Sequence, residues 1–209
     1  MIKVKICGLS RPIDIEIVNS EKPEYVGFVF ANSRRRVTPQ QALELRSRLE
    51  PGIIPVGVFV DETVGNIVSL VQSGVVEVIQ LHGSETEDYI NEIKALTDKP
   101  VIKAVAVERK GEVQKWTKSS ADYLLLDNKS GGTGRSFDWD LIGQTDKPYF
   151  LAGGLYPKNV RQAIGRTNPF AVDVSSGVEM DGFKDPVKIK EFIKRVREEE
   201  NFKCIYEGR

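Results

Sequence analysis

"LLLDNKSGGTGRSFDW", Leu124–Trp139, reads as an apolar strand that stops at Asp127 and opens into a glycine-rich loop. The loop carries Lys129, Ser130 and Thr133. A buried strand end is a poor place for an unpaired charge, so Asp127 is either capped locally or used. Seven other β-rich runs share the chain with this one: "KVKICG" from Lys3, "YVGFVF" from Tyr25, "IPVGVFV" from Ile54, "VEVIQLHG" from Val76, "PVIKAVAV" from Pro100, "PYFLAGGL" from Pro148 and "PFAVDVSSGVE" from Pro169. The eight begin about 21–29 residues apart, the span of one strand, one helix and two short loops.

Helical patterns lie between the runs. In "TPQQALELRSRLE", Thr38 is placed as an N-cap, Pro39 takes the first helical position, and Ala42, Leu45 and Leu49 share a face. In "SETEDYINEIKALT", Ser84 and Glu87 have capping-box spacing, with Ile90, Ile93 and Leu96 as the stripe. "DPVKIKEFIKRVREEE" starts at Asp185 and Pro186 and groups Val187, Ile189, Phe192, Ile193 and Val196. Strict alternation of strand and helix demands parallel strands. Eight units fit a closed barrel better than an open sheet, and "ICGLSRP" is not the G-x-G-x-x-G turn expected of an open doubly wound fold. The expectation is an α/β protein, a single (β/α)8 TIM barrel over residues 1–209.

Bulk composition narrows the function. Lysine plus arginine and aspartate plus glutamate both total 30. That balance argues against a nucleic-acid or anionic-membrane binder, which needs a concentrated positive field. No apolar run is long enough to span a bilayer, and "MIKVKICGLS" interleaves lysines with apolar residues, unlike a signal peptide. Cys7 and Cys204 lie at opposite ends without CxxC spacing, and the chain has one histidine. Neither a structural disulfide nor a zinc site is expected, and the chain reads as a cytoplasmic protein.

Barrel chemistry sits at the carboxyl ends of the strands. Those ends present Cys7, then Gln80 and His82, then Asp127, then "AGG" at Ala152–Gly154, and finally Asp173, Ser175, Ser176 and Gly177. Alternation along the first strand turns Lys3, Lys5 and Cys7 inward and Val4 and Ile6 outward. Lys5 would then favour the thiolate of Cys7. "AGGLYPKNV" and "SSGVE" are turns of small residues at the last two ends, where backbone N–H groups gather around phosphate. Each residue also has a plain structural reading. Cys7 could be a small buried hydrophobe, Asp127 a loop cap, His82 a core histidine, "RRR" at Arg34–Arg36 a solvated loop and Cys204 an inert thiol.

Taken together, these motifs resemble the phosphoribosylanthranilate isomerase family of tryptophan biosynthesis. "VKICGL", "GFVF", "SRRRVTP", "VGVFV", "VIQLHG", "VIKA", "LLLDNKSGGTGRSFDW", "LAGGLYPKNV", "AVDVSSGVE" and "GFKD" carry the resemblance, so all eight strands take part. It implies a ribulose-phosphate-binding barrel that isomerises N-(5-phosphoribosyl)anthranilate to 1-(2-carboxyphenylamino)-1-deoxyribulose 5-phosphate. This is an Amadori rearrangement and needs no cofactor or metal. Cys7 is the implied general base and Asp127 the implied general acid. The anthranilate carboxylate is expected on an arginine after the second strand: Arg35 by alignment on Val37 and Pro39, with Arg36 in the family's aromatic position. Gln80, His82 and Asp173 are the other candidates for the substrate, and Gly153, Gly154, Ser175, Ser176 and Gly177 for its phosphate. The expected partner is the small-molecule substrate, and the expected state is monomer or homodimer.

The chemistry requires Cys7 as thiolate, below its reference pKa of about 8.5, and Asp127 as neutral acid, above about 3.9. Desolvation by Leu124 and Leu126 supports the second shift. An epimerase barrel would need several histidines for its metal. An indole-glycerol-phosphate synthase would need lysine–glutamate pairs at strand ends, which the sequence does not show. A non-catalytic phosphate-binding barrel would not need both Cys7 and Asp127.

Overall fold

The computed structural model describes residues 1–128 and 136–206, the side chains of 199–206 excepted. The expectations for Lys129, Ser130, Thr133 and the Cys204 thiol lie outside the described residues. The eight strands are β1 Lys3–Cys7, β2 Tyr25–Val29, β3 Ile54–Phe59, β4 Val78–Leu81, β5 Val101–Ala106, β6 Tyr123–Asp127, β7 Tyr149–Leu151 and β8 Ala171–Val174. They pair in sequence order, all parallel, and β8 closes on β1. The helices are α1 Pro12–Glu21, α2 Pro39–Ser47, α3 Val64–Gln72, α4 Glu87–Leu96, α5 Val160–Thr167 and α6 Pro186–Tyr206.

Alternation of strand and helix is therefore not strict. The β5–β6 crossover has a 3₁₀ turn, Val113–Trp116, where a helix was expected, and a second 3₁₀ turn, Trp139–Leu141, precedes β7. Gly111, at φ 92°, and Gly143, at φ 66°, adopt left-handed backbone that interrupts a helical run in these two crossovers.

Local signals fixed some helix ends and misled at others. Thr38 caps α2, accepting from Gln41 N at 3.2 Å, and Pro39 follows it. The cap of α4 is Thr86 rather than Ser84. Thr86 accepts from Tyr89 N, and Ser84 instead donates its hydroxyl to Asp61 at 2.8 Å. Glu87 accepts the amide of Ser120 and does not complete a box with Ser84. Leu96 and Val187 are exposed, each at the margin of its expected stripe, where the cylinder curves away from the sheet.

Two apolar layers hold the fold. An outer layer between sheet and helices takes Val4, Ile6, Val26, Ile79, Leu124, Leu126 and Val172 from the strands. An inner layer fills the barrel with Tyr25, Val56, Val78, Ile102, Leu125, Phe150, Ala152 and Ala171. Phe150 meets Tyr25, Tyr123 and Phe170 edge-on, with centroids 5.3–5.6 Å apart, and Lys3 lies over Phe170 at 4.7 Å. These aromatics close the amino-terminal end, so polar inward residues collect at the opposite mouth. A buried ion pair braces that mouth from outside: Lys103 meets Glu85 at 2.7 Å and donates to the Gly83 carbonyl, while Glu85 accepts from the amides of Gly83 and Asp61.

Removing one partner of such a pair leaves an uncompensated charge. Glu85→Ala is expected to lower unfolding stability by about 3–5 kcal/mol, read as an earlier urea midpoint. Val187→Ala on exposed helix is expected to stay within about 0.5 kcal/mol of the parent.

Candidate active site

Strand register assembles the mouth. Lys5 on β1 stands beside Asp173 on β8, and Cys7 stands beside Gly27 on β2. As alternation predicted, Lys5 and Cys7 face inward while Val4 and Ile6 belong to the outer layer. Lys5 is fully buried; its ammonium donates to Gln80 Oε1 at 2.8 Å and Asp173 Oδ1 at 3.1 Å. Burial alone would push Lys5 down, but Asp173 and Cys7 beside it hold the ammonium above its ordinary value.

Glycine makes room for the thiol. A Cβ on Gly27 would stand 2.6 Å from Cys7 Sγ. Burial pushes the Cys7 thiol up, against the lowering pull of Lys5 and Lys184, and Asp173 adds to the rise. The expectation of a thiol below its reference value is thus corrected. Lys5 is placed as anticipated, but its charge is shared with Asp173, and desolvation of the sulfur outweighs the remainder.

Asp127 ends β6 on the inner face. Its Oδ1 accepts the amide of Asn128 at 2.7 Å, and its Oδ2 lies 3.7 Å from His82 Nε2. Burial pushes its carboxyl up to about 6, with the Asn128 hydrogen bond opposing and Asp173 assisting. The direction agrees with the sequence reading, but the neighbours differ. Leu124 and Leu126 point outward, and Leu125 is the inward leucine of β6.

The β7 and β8 turns meet as expected. Asp127, Ala152, Gly153, Gly154, Asp173, Ser175, Ser176 and Gly177 line one cleft. Gly153 and Gly154 adopt φ 77° and 67°, a region other residues enter at a steric penalty. A Cβ on Gly177 would lie 1.8 Å from the Leu155 carbonyl oxygen, so this glycine lets the two turns touch. Ser175 faces Cys7, donating its hydroxyl to the Cys7 carbonyl at 3.0 Å.

The two arginine candidates separate. Arg35 crosses the end of β1, where a Cβ on Gly8 would meet its Cδ at 2.4 Å. Its Nε and Nη2 grip Glu179 at 2.7 and 2.9 Å. Arg36 is not brought to the mouth; it lines an outer cleft with Leu43 and Glu62. The mouth likewise closes over Gln80, which is buried and bonded to Lys5 and His82 rather than open to a ligand.

A hairpin after β8, β9 Glu179–Met180 with β10 Phe183–Lys184, supplies residues the sequence reading missed. Lys184 donates to Glu179 at 2.7 Å and to the Ser175 carbonyl at 3.0 Å. Burial would push Glu179 up, but Arg35 and Lys184 hold it below the usual carboxylate range. Both residues occur in motifs already conspicuous, "SSGVE" and "GFKD". Nothing in their spacing shows that the hairpin folds back on Arg35.

Comparison with known proteins settles the family. The profile of N-(5'phosphoribosyl)anthranilate (PRA) isomerase matches residues 4–195. The chain belongs to the phosphoribosylanthranilate isomerase family. It is 46% identical over 203 residues to the N-(5'-phosphoribosyl)anthranilate isomerase of Thermoanaerobacter sp. (strain X514), covering 94% of this chain and 98% of the relative. A family structure in complex with reduced 1-(o-carboxyphenylamino)-1-deoxyribulose 5-phosphate superposes with a TM-score of 0.84 at 36% identity, covering 95% of this chain and 100% of that one. Monomers generated from the dimeric Thermotoga maritima isomerase give 0.84 at 37% identity, with the same coverage. Against that family background, the residues assembled at this mouth include one acid whose ionised form the fold opposes.

The sign of that opposition is testable. Folding raises the Asp127 pKa from 3.8 to about 6, so the penalty is absent below about 4 and complete above about 6. Asp127→Asn is expected to stabilise the protein by about 1–3 kcal/mol at pH 7.5 and to lose most of that gain at pH 4. Urea unfolding of both proteins at the two pH values measures it.

Proposed function

We propose that this chain isomerises N-(5-phosphoribosyl)anthranilate to 1-(2-carboxyphenylamino)-1-deoxyribulose 5-phosphate, an aldose–ketose isomerisation without a cofactor. The carrying observation is the convergence of an inward Cys7 and an inward, easily protonated Asp127 on the mouth that the glycine turns of β7 and β8 border. Family membership supplies the substrate.

Asp127 protonates the furanose ring oxygen as the C1′–O bond breaks, and the anthranilate nitrogen lone pair forms the iminium. Cys7 thiolate then removes the C2′ proton, and the C2′–H electrons neutralise the iminium to give an enolamine. Tautomerisation of the enolamine gives the ketone. Backbone N–H groups of the Gly153–Gly154 and Ser176–Gly177 turns take the phosphate. Arg35 takes the anthranilate carboxylate with the guanidinium edge that Glu179 leaves open. Asp173 holds Lys5 under the sugar. The whole chain, residues 1–209, works as one barrel in the cytoplasm, as a monomer or homodimer. Its even charge suits a small-molecule substrate rather than nucleic acid.

The acid and base sit on unusual sides of each other. With Asp127 near 6 and the thiol higher, the pair between those values holds one proton, mostly on sulfur. The working form, thiolate with neutral acid, is a fixed minor share of that singly protonated pair. Below about 6 both groups are protonated, and above the thiol value both are ionised. kcat/KM is therefore expected to rise through about pH 6 and to fall only at alkaline pH.

Fluorescence decay of freshly made phosphoribosylanthranilate tests the activity; decay unchanged by the purified protein refutes it. Cys7→Ala and Asp127→Asn are each expected to lower kcat by about 10²–10⁴-fold. Glu179→Gln loosens Arg35 without touching the reacting atoms. It is expected to raise KM by about 10–100-fold with a smaller change in kcat.

A further inference from the structure

His82 stands at the mouth with both ring nitrogens assigned by its neighbours. Lys5 is an ammonium with donors only. It donates to the oxygen of the Gln80 amide at 2.8 Å, which fixes the orientation of that amide. The Gln80 nitrogen must then face His82 Nδ1, at 2.9 Å. An amide nitrogen donates, so Nδ1 accepts, and the proton of the neutral ring sits on Nε2. Burial, with Lys5 and Lys103 nearby, holds the imidazole below its usual value and so neutral at pH 7.

That Nε2 lies 3.7 Å from Asp127 Oδ2. The gap is too long for a hydrogen bond between them. Asp127 Oδ1 is already taken by the Asn128 amide, so the proton of the neutral acid belongs on Oδ2. Two donors therefore face the same space. One oxygen at about 2.8 Å from each would complete both hydrogen bonds. Both side chains retain access to the mouth, at 29% and 12% exposure. The backbone of His82 is held as well: its amide donates to the Phe59 carbonyl at 2.8 Å, and the next residue is pinned by Lys103 and Glu85.

We infer that His82, locked as its Nε2–H tautomer by Lys5 through Gln80, is a second donor to the sugar ring oxygen, acting beside Asp127 as the ring opens. This rests on the isomerase reading. Asp127 Oδ2–H gives up its proton to that oxygen as the C1′–O bond breaks, becoming carboxylate. His82 keeps its own proton and stabilises the charge building on the departing oxygen. It is a fixed dipole that needs no reorganisation during the step. Gln80 and Lys5 are positioning residues for it, since neither touches the sugar.

Because the chain has one histidine, ¹⁵N-histidine labelling reports this ring alone. In the free protein at pH 7.5, Nδ1 is expected at the shift of an unprotonated acceptor nitrogen and Nε2 at that of a protonated one. The reverse assignment, or a protonated ring, overturns the inference whatever the activity. In turnover of phosphoribosylanthranilate, His82→Leu is expected to lower kcat by about 10²-fold, with a much smaller effect on KM. His82→Gln, whose amide N–H reaches about the place of Nε2–H, is expected to recover most of that loss. Wild-type turnover that His82→Leu leaves intact, or a His82→Gln no better than His82→Leu, overturns the inference and leaves the isomerase reading standing. A wild type without turnover overturns both.

Discussion

Lys5 is an ammonium sealed inside a barrel, and the mouth is organised around its need for partners. A buried charge without compensation is costly enough that the group neutralises or the fold rearranges. Here Asp173 balances the charge, Gln80 accepts a second hydrogen bond, and Cys7 shares the remaining side. With Lys5 and Cys7 on β1, Gln80 on β4 and Asp173 on β8, the cluster spans three strands. The requirement therefore fixes not only Lys5 but the relative placement of three strand ends. The orientation of the Gln80 amide and the tautomer of His82 follow from it.

A second cluster uses the same logic with opposite weighting. Around Glu179, a single carboxylate faces Arg34, Arg35 and Lys184. The excess of positive charge lies next to the thiol and against the β8 turn, whose Ser175 carbonyl accepts from Lys184. A site for a substrate with a carboxylate at one end and a phosphate at the other needs such an imbalance. Glu179 keeps it ordered: without the acid, three like charges within reach of one another would repel. The hairpin carrying Glu179 and Lys184 thus belongs to the site, although it lies outside the barrel.

Stability and chemistry oppose each other at Asp127 and Cys7. Both are buried deeply enough that their ionised forms are disfavoured. In the proposed mechanism that penalty is useful at Asp127, because a carboxylic acid near 6 still carries a proton often enough to give one. At Cys7 it runs against the thiolate that the proposed mechanism needs, and Lys5 with Lys184 only limits the rise. The fold affords this through its two apolar layers and the aromatic plug at the far end.

The eight strands were legible because buried parallel strands are short apolar runs at regular spacing, and the inward set on β1 followed from a period of two. Cys7, Asp127 and the paired glycine turns were legible because a barrel has one chemical end. Local signals failed where competing partners exist: Ser84 had capping-box spacing, but Asp61, some twenty residues earlier, took its hydroxyl. The same period of two puts Leu125, not Leu124 or Leu126, on the face of Asp127, a step the sequence reading did not take. The choice between Arg35 and Arg36, the burial of Gln80, the part of Glu179 and the net direction of the Cys7 shift all depended on three-dimensional packing. Each turns on which residues distant in the chain come within a few ångströms, and on how much water they exclude. Sequence alone determined the barrel and which side chains its mouth collects, since those depend on periodicity and residue type; tertiary structure decided which hydrogens and charges face one another across it.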